Sequence, residues 1–411
     1  HHTFFEMLGN FSFGDYFKED AIEYAWDLLI NHYKLSKDKL WVTVHIEDQE
    51  SEKIWLEKIG LDKKRISKLN EDNFWSMGDT GPCGPCSEIF YDHGDSLEGS
   101  PPEEGKDTGD RFVEIYNIVF MQFNRDIEGN LKPLPKPSVD TGMGLERISA
   151  VMQGTPDNYQ TDLFIPLIKK ISELTGEKDL LNPSLRVIAD HLRASCFMIS
   201  DGIAIGNEGR NYVLRRIIRR ALRHAYKLNS ENFYVMSKLA TYFSDTYKEL
   251  YPEIEKNNSF IEKALHEEEE KFGATLNQGM SLLDEEVKKL KGKVISGDLA
   301  FRLYDTFGFP LDMTIDFARE NNLNVDIEEY EKLMDLQKTR AKESNTFSSL
   351  LPSSIEVDGD TKFVGYDESE SKSTIKMIFK DGKRVSKIDG GESAILFDAT
   401  PFYAESGGQV G

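Results

Sequence analysis

The chain has 411 residues with 39% hydrophobic content, enough for two to three domains that each bury a core. Lys plus Arg number 50 against 72 for Asp plus Glu, a net charge of -22, which excludes general attraction to polyanions and requires any nucleic-acid partner to meet a local basic patch. No apolar run approaches the roughly 20 residues of a membrane-spanning helix, no basic-then-apolar segment opens the chain, and three cysteines suit a reducing compartment, so a cytoplasmic protein without a membrane partner is expected.

Up to about Met152 the pattern is mixed α/β. Phe4-Phe-Glu-Met-Leu8 and Phe11-Ser-Phe13 have strand character, Asp20 to Leu29 has helical amphipathicity, and Leu40-Trp-Val-Thr-Val-His-Ile46 is a β-branched and aromatic strand. His1 and His2 are few for a tag and run straight into strand-like sequence, which implies that the chain's own beginning lies upstream. Within Asn73 to Glu88 lies Cys83-Gly-Pro-Cys86, the sequence of a thioredoxin-type redox pair. It follows the turn residues Gly78-Asp-Thr-Gly81 without a βαβ pattern, and zinc wants four ligands where Cys196 is the only other cysteine, so the pair reads as part of a rigid loop over a small polar ligand. Gly94 to Gly109 predicts a surface loop, Ile115 to Phe123 a buried strand, and Asp126-Ile-Glu-Gly-Asn130 a hairpin turn.

Ser138-Val-Asp-Thr-Gly-Met-Gly-Leu-Glu-Arg-Ile148 then sets Asp140, two glycines and Arg147 where an apolar strand becomes a helix. Such a junction is either a tight turn before a core helix or a nucleotide site. In the second case the glycines admit a ligand to the backbone, the helix start meets phosphate, Asp140 holds an amino group and Arg147 meets adenine or triphosphate.

From Tyr159 to Thr346 the periodicity is helical. Arg210, Arg215, Arg216, Arg219, Arg220, Arg223 and Lys227 alternate with apolar residues to give one core face and one cationic face. A solvated surface is one reading, but arginine in place of lysine favours planar recognition of an RNA backbone. Glu267 to Glu270 reads as the wet face of a long helix whose apolar side carries Ile261, Leu265, Phe272, Leu276, Leu283 and Val287. Lys342 to Ser354 is a polar linker, and Thr361 to Gly411 a small β unit with turns at Lys380-Asp-Gly-Lys383 and Asp389-Gly-Gly391. The eight histidines contain no His-x-x-x-His pair.

Five stretches, His1 to Phe17, Gly78 to Glu88, Asn117-Ile-Val-Phe-Met-Gln-Phe-Asn-Arg125, Pro133 to Arg147 and Tyr212-Val-Leu-Arg-Arg-Ile-Ile-Arg-Arg220, closely resemble, in order, the alanyl-tRNA synthetase family of class II aminoacyl-tRNA synthetases. The resemblance implies an α+β fold: a class II antiparallel sheet with helices over 1–152, an all-α tRNA acceptor-stem domain over 153–350, and the β-rich start of an editing domain over 351–411. It implies an alanine-tRNA ligase that uses ATP and Mg²⁺ to form alanyl-adenylate and passes the alanyl group to the 3' end of tRNA(Ala). By the same resemblance Asp140 pairs with the alanine ammonium, Asn117 orients it, and Trp75, Val119 and Gly142 shape a methyl-sized pocket. A pocket of that kind cannot strongly reject glycine or serine, which is the physical case for editing. Phe5 and Arg147 sandwich adenine with Met7 beside them, and Glu88 is a magnesium ligand, although Phe5 and Val119 also read as ordinary core residues.

On the RNA side the resemblance implies that Asn207 and Asp305 read an acceptor-stem G·U pair, with Arg215, Arg216 and Arg219 gripping adjacent phosphates. Three departures qualify it. The family's first class II motif and the arginine-bearing strand of its second lie ahead of His1; Ile205-Gly206 stand where the family usually has Pro-Ser; and Thr400 to Gly411 only opens the editing domain, so Zn²⁺ is expected only in the part beyond. A catalytically inactive tRNA-binding paralogue or regulator, and a thiol oxidoreductase built on Cys83 and Cys86, are the alternative functions.

Overall fold

Long β-branched and aromatic runs make the first part of the chain a sheet. The computed structural model describes residues 2–290, 292–343 (side chains 338–343 apart), 361–365, 368, 370–380, 383–390 and 393–402. Of the expectations above, the linker beyond Glu343, the turn positions Asp381, Gly382 and Gly391, and the run Tyr403 to Gly411 lie outside the described residues. The chain forms two units, His1–Asn277 and Gln278–Gly411.

In the first unit β1 (Met7–Leu8), α1 (Lys18–Asp27), β2 (Leu40–His45), α2 (Gln49–Lys53), β3 (Ile66–Leu69), β4 (Phe74–Ser76), β5 (Gly81–Asp92), β6 (Phe112–Arg125) and β7 (Leu131–Gly144) lead into α3 (Leu145–Met152). The strands form a seven-stranded sheet in the order β1-β7-β6-β5-β2-β3, with β4 paired to β5. The expected antiparallel sheet is corrected at one pair: β2 and β3 run parallel, Val42 opposite Ile66, because the chain crosses over through α2 between them. The turn after β6 forms as its residues predict, with the backbone N–H groups of Glu128 and Asn130 donating to Asp126 at 3.0 and 2.9 Å.

The Cys-Gly-Pro-Cys run is a second correction. It is no loop but part of β5, where Cys83 pairs with Phe123 and Cys86 with Val119 across a bulge. Gly84 permits this, since a Cβ there would stand 2.0 Å from the Phe120 carbonyl oxygen. Both thiols are free and buried, and burial pushes the Cys86 thiol far up. A reactive thiolate needs the opposite environment.

Behind the sheet, Trp26 and Trp55 meet edge to face at 5.7 Å, and Trp55 Nε1 donates to Ser87 Oγ at 2.9 Å, which donates to the Thr43 carbonyl at 2.7 Å. The Trp55 and Ser87 side chains are thus satisfied. Five helices follow: α4 (Ile165–Thr175), α5 (Pro183–Ser200), α6 (Gly209–Leu228), α7 (Met236–Tyr247) and α8 (Pro252–Lys289). Asn182 caps α5, accepting from Ser184 N–H at 3.0 Å ahead of a run of buried residues that includes Ile188, Leu192 and Cys196.

The acidic run on α8 is a third correction. Glu267 and Glu270 face solvent, but Glu268 is 2% exposed and Glu269 is fully buried. Glu269 accepts from the N–H of Met236 at 2.6 Å and of Ser237 at 3.3 Å, capping the start of α7 from another helix.

The second unit continues α8 and adds β8 (Val294–Ile295), α9 (Gly297–Phe307), α10 (Leu311–Glu320), β9 (Asn324–Val325) and α11 (Ile327–Glu343). Short strands follow as expected: β10 (Lys362–Phe363), β11 (Ile375–Lys380), β12 (Lys383–Val385), β13 (Ala394–Phe397) and β14 (Ala399–Thr400). They form an antiparallel β12-β11-β13 sheet and a parallel β10-β14 pair. Among the described residues no helix is long and apolar enough to cross a membrane.

Candidate functional site

The β7–α3 junction borders a cavity of about 370 Å³. Register places Asn117 opposite Gly142 and Val119 opposite Asp140 across β6 and β7, and alternation brings residues two apart to one face. These four line the cavity, with Trp75 from β4 beside them. Gly142 keeps the space open: a Cβ there would stand 2.8 Å from the Met7 sulfur, itself part of the wall.

Two acceptors here lack partners. Asn117 Oδ1 is buried without a hydrogen bond among the described residues, which leaves it able to accept from a ligand or a water. Asp140 is half-buried, and burial pushes its carboxyl above the usual carboxylate range with no neighbouring cation to offset it. Open acceptors beside the apolar surfaces of Trp75 and Val119 suit a small ligand with N–H donors on a compact carbon frame.

Arg147 occupies the other side, where Nη1 donates to the Glu114 carbonyl at 2.8 Å and lies 3.5 Å from its carboxylate. Glu114 lines the cavity and was not singled out from sequence; strand alternation marks it only as a polar position in β6. Glu88 lies on β5 opposite Asn117, outside the lining, and accepts from Thr43 Oγ1 at 3.3 Å. Burial, and then Glu114, push its carboxyl up to about 8. A divalent cation would relieve that repulsion, and Glu88 and Glu114 are carboxylates of the kind Mg²⁺ would take. Among the described residues no group of three or more His, Cys, Asp or Glu side chains is placed to hold a metal.

Phe5 is half-buried and stands outside the cavity lining. The start of α3 is not open as expected: Leu145 N–H already donates to the Glu6 carbonyl at 2.9 Å. On α6 the cationic face is partly turned inward. Arg215 and Arg219 reach the buried Glu268 through Nε at 3.4 and 2.6 Å, and Arg223 is 2% exposed. Arg210 and Arg216 are exposed. Asn207, exposed just before α6, accepts from Arg215, while Asp305, exposed on α9 of the second unit, accepts from Gln337.

Comparison with known proteins bears on this geometry. Over residues 1–411 the chain matches the family described as tRNA synthetases class II (A). It is 55% identical to an alanine-tRNA ligase of Hydrogenovibrio crunogenus, 52% to one of Idiomarina loihiensis and 52% to one of Haemophilus influenzae, each match covering 100% of this chain and 48% of the relative. The chain thus spans about half the length of the curated relatives it matches. With an α+β fold, a sheet that leads into a Gly-x-Gly helix junction and a family match along its whole length, the chain belongs to the class II tRNA synthetases.

Proposed function

We propose that the chain forms the aminoacylation part of an alanine-tRNA ligase acting in the cytoplasm. The observation that carries this reading is the pair of unpartnered acceptors, Asn117 and Asp140, set beside Trp75 and Val119 in one small cavity. Asp140 takes the ammonium of alanine by charge, Asn117 Oδ1 fixes its direction, and the space left by Gly142 admits the methyl group.

An alanine carboxylate oxygen then attacks the α-phosphorus of ATP, the bond to the bridging oxygen breaks, and pyrophosphate leaves. A ribose hydroxyl at the tRNA 3' end next attacks the alanyl carbonyl carbon and AMP leaves. No protein group becomes covalently bound, so the chain's contribution is orientation and charge placement. Arg147 exchanges Glu114 for the nucleotide, with Phe5 and Met7 on its adenine side. Glu88 and Glu114 would hold magnesium, which would supply charge neutralisation at the phosphate oxygens. Asn207, aimed by Arg215, reads the acceptor-stem G·U pair of tRNA(Ala), exposed Arg216 meets the backbone, and Asp305 of the second unit is assigned to the same tRNA. Catalysis is assigned to 1–152, acceptor-stem recognition to 153–350, and the start of an editing domain, with its zinc site beyond, to 351–411.

Amino-acid-dependent exchange of labelled pyrophosphate into ATP by the full-length protein tests this. Alanine is expected to support exchange, glycine and serine weakly, and proline not at all; exchange that ignores the amino acid overturns the reading.

A further inference from the structure

We propose that Arg193, on α5, is a positioning residue for the nucleotide side of the site although it lines no part of the cavity. The proposal rests on the adenylate-forming reading above. Arg193 is 4% exposed, and both terminal nitrogens of its planar fork are engaged. Nη1 donates to Glu146 Oε1 at 2.6 Å and to the Phe4 carbonyl at 3.1 Å, and Nη2 donates to Glu6 Oε1 at 3.0 Å. Glu146, 1% exposed, accepts the Glu6 N–H on both oxygens at 3.1 and 3.2 Å, and Leu145 N–H returns a bond to the Glu6 carbonyl at 2.9 Å. The Tyr251 hydroxyl, just ahead of α8, donates to the Glu6 carboxylate. The rings of Phe4, Phe164 and Phe197 lie 4.9, 5.5 and 6.0 Å from the guanidinium carbon and enclose it.

These bonds clamp residues 4 to 6 onto the first turn of α3. The residues interleaved with the clamped ones are Phe5 and Met7 on one element and Arg147 on the other, the three assigned to the nucleotide. Met7 and Arg147 both line the cavity, so the clamp fixes their separation. Asn117 and Asp140, by contrast, are fixed by the β6–β7 ladder, which does not involve Arg193. Loosening the clamp should therefore weaken ATP and spare alanine. Lysine cannot replace Arg193, because a single ammonium cannot hold two carboxylates and a carbonyl in one plane.

The test measures KM for ATP and for alanine separately, by pyrophosphate exchange, in the full-length protein. Arg193→Lys is expected to raise KM for ATP about tenfold, since small misplacements of binding groups cost this much or more, and to leave KM for alanine within about twofold. Tyr251→Phe, which loosens only the Glu6 end, is expected to shift KM for ATP about threefold in the same direction, and it serves if Arg193→Lys does not fold. Lys18→Met, which removes an equally buried partner from Asp48 at 2.6 Å outside the clamp, is the control and should lower Tm without altering the ratio of the two KM values. Equal rises in both KM values, or an ATP effect reproduced by Lys18→Met, would make Arg193 merely structural and overturn the proposal. If the parent exchanges no pyrophosphate with alanine, the adenylation reading falls by itself. The clamp is then judged by calorimetric ATP binding, where Arg193→Lys must weaken ATP about tenfold more than Lys18→Met does.

Discussion

At the β6–β7 site the acceptors stand open, whereas on α6 the donors are already engaged: Asn117 Oδ1 and Asp140 have no partner among the described residues, while Arg215 and Arg219 both reach buried Glu268. Each region was legible in sequence as a cluster of polar groups, and the groups differ in what they await. Open buried acceptors cost stability until a ligand completes them, which is the signature of a small-molecule site. Arginines paired with Glu268 have their desolvation offset and tie α6 to α8. In the proposed reading, RNA contact in this region is assigned to the exposed residues Arg210 and Arg216, with Arg215 holding Asn207.

The contrast can be broken from either end. Glu268→Ala would strand two arginines beside a buried hole, and we expect a loss of about 3–5 kcal/mol, read as a lower urea midpoint at unchanged m. A loss below about 1 kcal/mol would mean that the arginines are not held by it. Asp140→Ala removes the carboxylate assigned to the ammonium, so KM for alanine should rise at least about 100-fold with ATP within about twofold; equal losses for both substrates would place Asp140 in the general architecture instead. On α6, Arg210→Ala should lower the salt slope of tRNA binding by about one with little change in Tm, whereas Arg219→Ala should lower Tm and move the slope less. The smallest effect is one of pH. Because burial raises Asp140 above the ordinary 3.8, its ionised form, and with it alanine affinity, is complete above the raised value and is lost as pH falls through it. KM for alanine should climb as pH falls through that value.

Local chemistry made part of this visible. The Asp126 turn, the β6 run and the strand-to-helix change at Gly144 depend on neighbouring residues, and they form where the sequence places them. What escaped depends on distant partners. Strand alternation marks Glu114 as polar but does not say that Arg147, 33 residues on, will meet it. The acidic run at 267–270 reads like a solvated face, yet Glu268 is buried by Arg219, 49 residues away, and by Arg215, and Glu269 by the start of α7. Cys83 to Cys86 carries every local mark of a turn, and only the close approach of β6, which Gly84 allows, makes it strand.

The central claim is that Asn117 and Asp140 are open because they hold an ammonium. The most direct test is calorimetric titration of the full-length protein with a non-hydrolysable alanyl-adenylate analogue and with the same compound lacking its amino group. The account predicts that the amino compound binds at least about 100-fold more tightly in the parent and that Asp140→Ala removes most of that difference. Equal affinity of the two compounds for the parent would contradict it.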